Sequence, residues 1–248
     1  QTIAYGMFAA RLHDKQINTF SRQEAAEKIP KTNPFLRRLF GYIAGPDIDD
    51  RIKWIVDDLA EVFLACNVLE ILRNYGKKTK MEDPIIHFYE TFLSEYDPKL
   101  RKARGVWYTP APVVKFIVRA VDQVLKDDFG LEQGLADNSK TTISLDSQVP
   151  DKRSKTGYGK IEKEVHKVQI LDPATGTGTF LAEVIKFIHK KFENLQGIWD
   201  SYAKEHLLPR LNGFELLMAS YAMAHLKLDL LLTETGCEPN PNQRLKVF

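Results

Sequence analysis

Residues 168–192 constrain the fold more than any other stretch of the chain. Val168-Gln169-Ile170-Leu171 is a short apolar run of strand length, and Asp172-Pro173-Ala174-Thr175-Gly176-Thr177-Gly178-Thr179 reads as a tight loop. Phe180, Leu181, Val184, Ile185, Ile188 and Phe192 then recur at helical spacing. The same unit repeats downstream. Leu211-Asn212-Gly213-Phe214 is a second strand candidate ending on Glu215. A helix with Met218, Tyr221, Ala222, His225, Leu226 and Leu230 runs to Gly236, and residues 245–248 form a third strand. Strand, helix, strand, helix, strand in this order predicts a parallel α/β arrangement, because each helix must carry the chain back before the next strand starts.

The first third is different in kind. Ser21 followed three positions later by Glu24 is a capping-box pattern, and Pro34 after Asn33 suits a first helical turn. Between Asp47 and Tyr75 the apolar residues Ile48, Ile52, Ile55, Leu59, Val62, Phe63, Leu69 and Leu72 predict one long helix, stopped at Gly76. Asp83-Pro84 opens another, with Ile85, Phe88, Tyr89 and Phe92. The acidic group Asp57, Asp58 and Glu61 reads as a solvated helix face rather than a metal site. A basic run, Lys99, Arg101, Lys102 and Arg104, ends this helical part and reads as a solvated linker, with a phosphate-contacting loop as the alternative. The expected division is therefore a helical region over 1–100 and an α/β region over 101–248.

In the second region, Thr109 is a candidate N-cap and Pro110 a candidate first helical residue. Val113, Val114, Ile117, Val118, Val121 and Leu125 predict one apolar face, ending near Gly130. Residues 131–165 are rich in Asp, Ser, Lys, Thr and Gly. They read as an irregular connection, with at most a hairpin around Thr141–Leu145.

Composition narrows the classes. The 248 residues are 44% hydrophobic and 27% charged, which excludes a disordered tail, a collagen-like rod and a disulfide scaffold. A net charge of +2 does not by itself mark a surface that grips duplex phosphates. Cys66 and Cys237 form no CxxC pair, so neither a zinc site nor a disulfide framework is indicated, and a reducing cytosol fits. No apolar run reaches membrane-spanning length, and no charged-then-apolar leader opens the sequence. Gln1 opens a segment that already reads as structured, and the last five residues read as a strand with no successor, so an excised piece of a longer protein is expected.

Two glycines where a strand turns into a helix let the backbone approach a ligand, and the helix N-terminus offers free N–H donors. An acid at the tip of the neighbouring strand can accept two hydrogen bonds from a ribose diol. Together they predict a nucleoside site. A nicotinamide fingerprint calls for a small residue where Leu181 stands, and for an acid about 20 residues on. Glu215 follows Gly178 by 37 positions instead. No Lys follows the glycines as in a phosphate-binding loop, and Asp172 would repel a pyrophosphate. The same charge suits a cationic ligand. S-adenosylmethionine carries a sulfonium, an ammonium and a ribose but no phosphate.

These residues resemble a known family. Residues 105–110 resemble the upstream element of amino-methyltransferases of DNA, 172–180 resemble their Asp-Pro-x-x-Gly-x-Gly-x-Phe loop, and Gly213-Phe214-Glu215 resembles their ribose-binding acidic element. The order is that of the N6-adenine class in type I modification subunits. The wording is nearer still to large single-chain restriction–modification enzymes, in which a nuclease and a DNA motor precede a helical coupler and the methyltransferase. Residues 107–112, 171–181 and 208–226 are most similar. The resemblance implies a partial Rossmann-like S-adenosylmethionine-dependent domain preceded by an all-α region. It implies DNA, with motor and nuclease domains, as partners of a cytoplasmic prokaryotic parent, and no metal.

The resemblance also implies roles. Tyr108, Thr109 and Pro110 would close over the methionine end of the cofactor, and Asp172 would face its ammonium. Ala174, Gly176, Thr177 and Gly178 would lie beneath it. Thr179 and Phe180 would frame the methyl-donor end, Glu215 would hold the ribose and Leu216 would lie against the adenine. Thr175 stands where many relatives carry Cys. The family's catalytic Asn-Pro-Pro-Tyr or Asp-Pro-Pro-Tyr occurs nowhere in 1–248, so no catalytic residue is assigned and the chain is expected to be inactive alone. A nucleotide-dependent oxidoreductase and a non-catalytic interaction module remain as alternatives.

Overall fold

The computed structural model describes residues 2–14, 16, 18–28, 34–45, 48–68, 70, 99, 109–150, 152, 153, 155, 157–193, 195–237 and 244–248. Four helices come first: α1 (Thr2–His13), α2 (Arg22–Glu27), α3 (Pro34–Ile43) and α4 (Asp50–Ala65). After the 71–108 stretch, where only Lys99 is described, α5 (Ala111–Asp127) leads through a 3-10 turn (Gly134–Ala136) to strands β1 (Lys140–Pro150) and β2 (Tyr158–His166). Then come β3 (Ile170–Asp172), α6 (Thr179–His189), α7 (Gln196–Tyr202), β4 (Leu211–Gly213), α8 (Met218–Glu234) and β5 (Lys246–Val247).

The helical expectations hold in part. Ser21 caps α2, its side chain accepting from the Glu24 N–H, and Pro34 opens α3. The expected long helix is shorter: α4 ends at Ala65, where Cys66 turns extended, and Leu72 and Gly76 lie outside the described residues. Its inward face also differs. Val56, Ala60 and Phe63 are buried while Ile52, Ile55 and Val62 are exposed, because spacings of four and three fix the stripe one step round from the one expected. Asp57 is not simply solvated. Its carboxylate accepts from Nε of buried Arg22 at 2.8 Å, which also donates to the carbonyls of Ala44 and Gly45 at the end of α3. The expected helix at Asp83-Pro84 lies outside the described residues.

Two further expectations are corrected in the second region. Thr109 does not cap α5. Pro110 occupies the N-cap position with φ −56° and ψ 138°, and its carbonyl accepts from Val113 and Val114. The helix starts one residue later than expected, which leaves Thr109 outside it. Val114, Val118 and Asp122 form the buried face, and Val113, Ile117 and Val121 are exposed. Residues 131–165 are mostly an antiparallel ribbon, far longer than the hairpin expected, running in register from the pair Lys140 and His166 to the pair Asp146 and Lys160.

The three remaining strands form one parallel sheet in the order β3-β4-β5. Asp172 pairs with Gly213, and Gly213 with Val247, so the C-terminal ends of all three strands lie side by side. The α/β order read from the sequence is present here. One hydrophobic core runs through the described residues, from Met7, Phe40 and Phe63 through Val118, Leu181 and Ile185 to Met223, Leu228 and Val247. Helix α8 is its axis. Every residue from Ser220 to Asp229 is buried, with α1, α6 and β5 against it. The close approach within the helical part depends on Gly6: a Cβ there would lie 1.6 Å from the ring of Phe40.

Candidate functional site

The candidate site lies beyond the C-terminal ends of the parallel strands, the edge where open α/β sheets hold ligands. Backbone bonds lace three loops together there. The Phe214 N–H donates to the Asp172 carbonyl at 3.0 Å, the Thr175 N–H to the Phe214 carbonyl at 2.9 Å, and the Glu215 N–H to the Phe248 carbonyl at 2.7 Å. The glycine loop needs its glycines for separate reasons. Gly176 has φ 56° and open space around it, so its requirement is conformational. Gly178 has φ 81° and forms the N-cap of α6, and a Cβ there would also meet Ala224 of α8 at 3.4 Å.

Asp172 is half-buried at the end of β3. Its Oδ1 accepts from the Ala174 N–H at 3.1 Å, whereas Oδ2 is buried and has no hydrogen-bond partner among the described residues. Burial pushes its carboxyl up from the ordinary value. The Ala174 N–H opposes that shift, and the neighbouring Glu215 carboxylate adds to it. Glu215 engages both oxygens: Oε2 accepts from the Gly176 N–H at 2.7 Å and Oε1 from the Leu217 N–H at 2.6 Å. A carboxylate has about four acceptor directions, so capacity remains for a diol. Neither acid has a cationic side-chain partner among the described residues. The cradle is therefore anionic, with one orphaned acceptor, and it suits a cation that donates hydrogen bonds.

The other expected residues fall as follows. Ala174, Thr177 and Thr179 line the same loop; the Thr177 and Thr179 hydroxyls are 3.5 Å apart, and Thr179 accepts from Lys227 at 3.4 Å. Phe180 is half-buried and packs against the core. Leu216 is 97% exposed, so it stands open to solvent beside Glu215. Tyr108 lies outside the described residues. Thr109 and Pro110 stand at the head of α5, which packs along α6. Two residues that the sequence reading missed hold the site together. Thr175 is buried, and its hydroxyl donates to the Asp172 carbonyl at 3.1 Å. Gly213 leaves the room it occupies: a Cβ there would lie 2.4 Å from Thr175 Oγ1. The small residue before Phe214 was the available signal. No group of three or more His, Cys, Asp or Glu able to hold a metal exists among the described residues.

Comparison with known proteins bears on this geometry. Residues 80–131 match the N-6 DNA Methylase family model. The resemblance to N6-adenine DNA methyltransferases stands on that match, which covers the stretch leading into and through α5 and stops before the glycine loop. No curated protein sequence matches the chain. Among solved structures, a nuclease-deletion mutant of the Type ISP restriction–modification enzyme LlaGI, in complex with a DNA substrate mimic, aligns with a TM-score of 0.50 and 18% identity. It covers 99% of this chain and 16% of its own. The ATP-dependent Type ISP restriction–modification enzyme LlaBIII, bound to DNA, gives 0.50 and 18% over 98% of this chain and 13% of its own. At such identity these likenesses establish a shared fold. The chain spans under a fifth of the length of either.

Proposed function

We propose that the chain is the cofactor-binding portion of a site-specific DNA adenine-N6 methyltransferase of a restriction–modification system. The observation that carries this reading is the acidic cradle: an orphaned Asp172 oxygen beside a glycine loop tied down by Glu215. S-adenosylmethionine supplies the methyl group on a sulfonium and brings an ammonium and a ribose, the two groups that these acids suit. Asp172 holds the ammonium, Glu215 the ribose hydroxyls, and the backbone from Ala174 to Gly178 forms the floor. Thr179 and Phe180 border the methyl end, Leu216 covers the adenine, and Tyr108, Thr109 and Pro110 close the opposite side. The parallel sheet with its flanking helices is then part of a Rossmann-like domain over 101–248, with 1–100 as a coupler-like helical region.

In the whole protein the acceptor is the exocyclic nitrogen of an adenine in DNA, and motor and nuclease domains of one polypeptide are its partners in the cytoplasm. The base must leave the duplex to reach the donor, and the rate comes from in-line positioning. The tetrapeptide that would hold its amino group is not in 1–248, so this chain alone transfers no methyl group to DNA.

Titration calorimetry with S-adenosylmethionine on the 248-residue chain and on Glu215→Gln tests the reading. Gln offers one acceptor where two N–H groups and a diol need several. Affinity should fall at least about tenfold, since a hydrogen bond to a charged group contributes about 1.5–3 kcal/mol. Equal binding by both proteins, or preference for a nicotinamide dinucleotide, would refute it.

A further inference from the structure

The ribbon of β1 and β2 stands apart from the three-stranded sheet and pairs with no other described strand. Every residue from Lys140 to Asp146 and from Lys160 to Glu164 is exposed. Among the described residues of the two strands, His166 alone is buried. A two-stranded ribbon gains little stability from its own contacts, so its place in the molecule depends on how its foot is held.

One stretch of chain grips both strands there. After α7 the backbone widens into a π turn over Ala203–Leu207 and then tightens into a 3-10 turn over Leu208–Arg210. On the approach to β1 the gripping groups keep one charge state from neutral to mildly acid pH. The Arg210 Nη2 donates to the Leu135 carbonyl at 2.6 Å and to the Tyr202 hydroxyl at 2.9 Å, and that hydroxyl donates to the Ala136 carbonyl at 2.7 Å. A guanidinium does not deprotonate, and burial pushes the Tyr202 hydroxyl up from its ordinary value against the opposing pull of Arg210. The grip on β2 is of another kind. The His166 Nε2 and the His206 Nδ1 share one hydrogen bond at 3.1 Å, with the rings edge to face.

Such a bond needs one N–H and one lone pair. A proton on both facing nitrogens leaves two donors opposed, and the bond is gone. The surroundings resist that charge. Burial lowers His166, the Arg210 guanidinium, His206 and the Lys140 amine reinforce the shift, and the Glu164 carboxylate opposes it. Glu164 is itself paired with Lys140 at 2.9 Å. On the other side the Tyr202 ring lies 5.6 Å from that of His206, and the charge of Asp137 reaches Tyr202. We propose that the His166–His206 bond is a proton-operated latch: charging both rings frees the foot of β2 while that of β1 stays held, so the ribbon pivots on its β1 side. The latch involves no ligand and is independent of the methyltransferase reading. Because the folded state depresses His166, the latch is closed above the ordinary histidine value of about 6.5 and opens as pH falls below it.

Hydrogen exchange of the 248-residue chain, read as protection factors at about pH 7.5 and about pH 5, tests the latch. The Lys167 N–H donates to the Ser139 carbonyl at 2.9 Å and so reports on the foot. It should lose at least about tenfold in protection at the lower pH, while the amides of α6 keep theirs. In His166→Gln/His206→Gln, amides that do not titrate replace both rings, and the protection of Lys167 should be the same at both values. Protection of Lys167 that does not change with pH in the unsubstituted chain would overturn the latch. So would an equal fall in the double variant, which would assign the opening to another group, such as His225. A second measurement needs no substitution. The ring nitrogens of His166 and His206, followed by 15N NMR, should titrate in two steps more than about one pH unit apart, the second coinciding with the loss of protection at Lys167. Titration of both rings in one step, or with no change at the foot, would equally refute it.

Discussion

Glu215 and Asp172 stand at adjacent strand ends and carry the same charge, but their surroundings give them opposite tasks. Glu215 accepts from two backbone N–H groups, whereas Asp172 accepts from one and has, among the described residues, a buried oxygen without a hydrogen-bond partner and an acid for a neighbour. A carboxyl held above its ordinary value binds protons more readily folded than unfolded, so it costs stability at neutral pH and relieves that cost as pH falls. Asp172→Asn should therefore melt at or above the temperature of the unsubstituted chain at pH 7 while losing at least about tenfold in S-adenosylmethionine affinity, the scale of a lost charged hydrogen bond. Calorimetry and thermal melts on the same preparation check both halves. Gly213 and Thr175 make a second residue-scale case. Gly213→Ala should destabilise by about 1–3 kcal/mol through overpacking, and by less in a Thr175→Ala background, where the obstructing hydroxyl is gone. A denaturant double-mutant cycle measures the difference. Asp172, Gly176, Gly178 and Glu215 were legible in the sequence because a sharp strand–helix turn has few chemical solutions. The fit of Thr175 against Gly213 was not, because it joins residues far apart in the chain.

Among the elements, α8 departs most from a surface helix. It is buried on every side from Ser220 to Asp229, Lys227 and Asp229 included, and it also carries His225, whose ring has no exposed surface. The Nε2 of His225 lies 3.3 Å from the Val247 carbonyl, and its Nδ1 has no hydrogen-bond partner among the described residues. Burial pulls its pKa down to about 4; the Val247 carbonyl opposes this, and Arg244 reinforces it. The neutral ring is the folded form, so its contribution is intact above the unfolded pKa of about 6.5 and is lost as pH falls toward 4. The chain should lose about 3 kcal/mol across that window, and His225→Gln should flatten this part of the profile, as urea melts at pH 7, 5.5 and 4.5 would show. The existence of α2 to α6 and of α8 was legible from capping and periodicity, whereas α7 carries neither signal in the reading of the sequence. Which face turned inward in α4 and α5 was not, because apolar residues occupy both sides of each helix and only tertiary packing chooses between them. The ribbon looks irregular in the sequence because polar residues and lysines fill it, and its strands have no core to alternate against.

At the scale of the whole molecule, the helical region and the sheet are not separate bodies joined by a contact. Their buried residues form one cluster, with α1 on one side of α8 and the glycine loop on another, where Gly178 abuts Ala224. The glycine loop therefore rests on a helix whose position the first helix helps to set. This continuity could not be read from a sequence whose halves look so unlike. All of it depends on a cationic adenosyl ligand entering between the Asp172 and Glu215 strand ends. The most direct measurement follows the backbone amide resonances of Gly176, Gly178 and Leu217 by 15N NMR while S-adenosylmethionine is added. Saturable shifts of these amides, exceeding those elsewhere and absent with a nicotinamide dinucleotide, are the predicted result. Saturation that leaves them unmoved, or no saturation at millimolar ligand, would contradict the account.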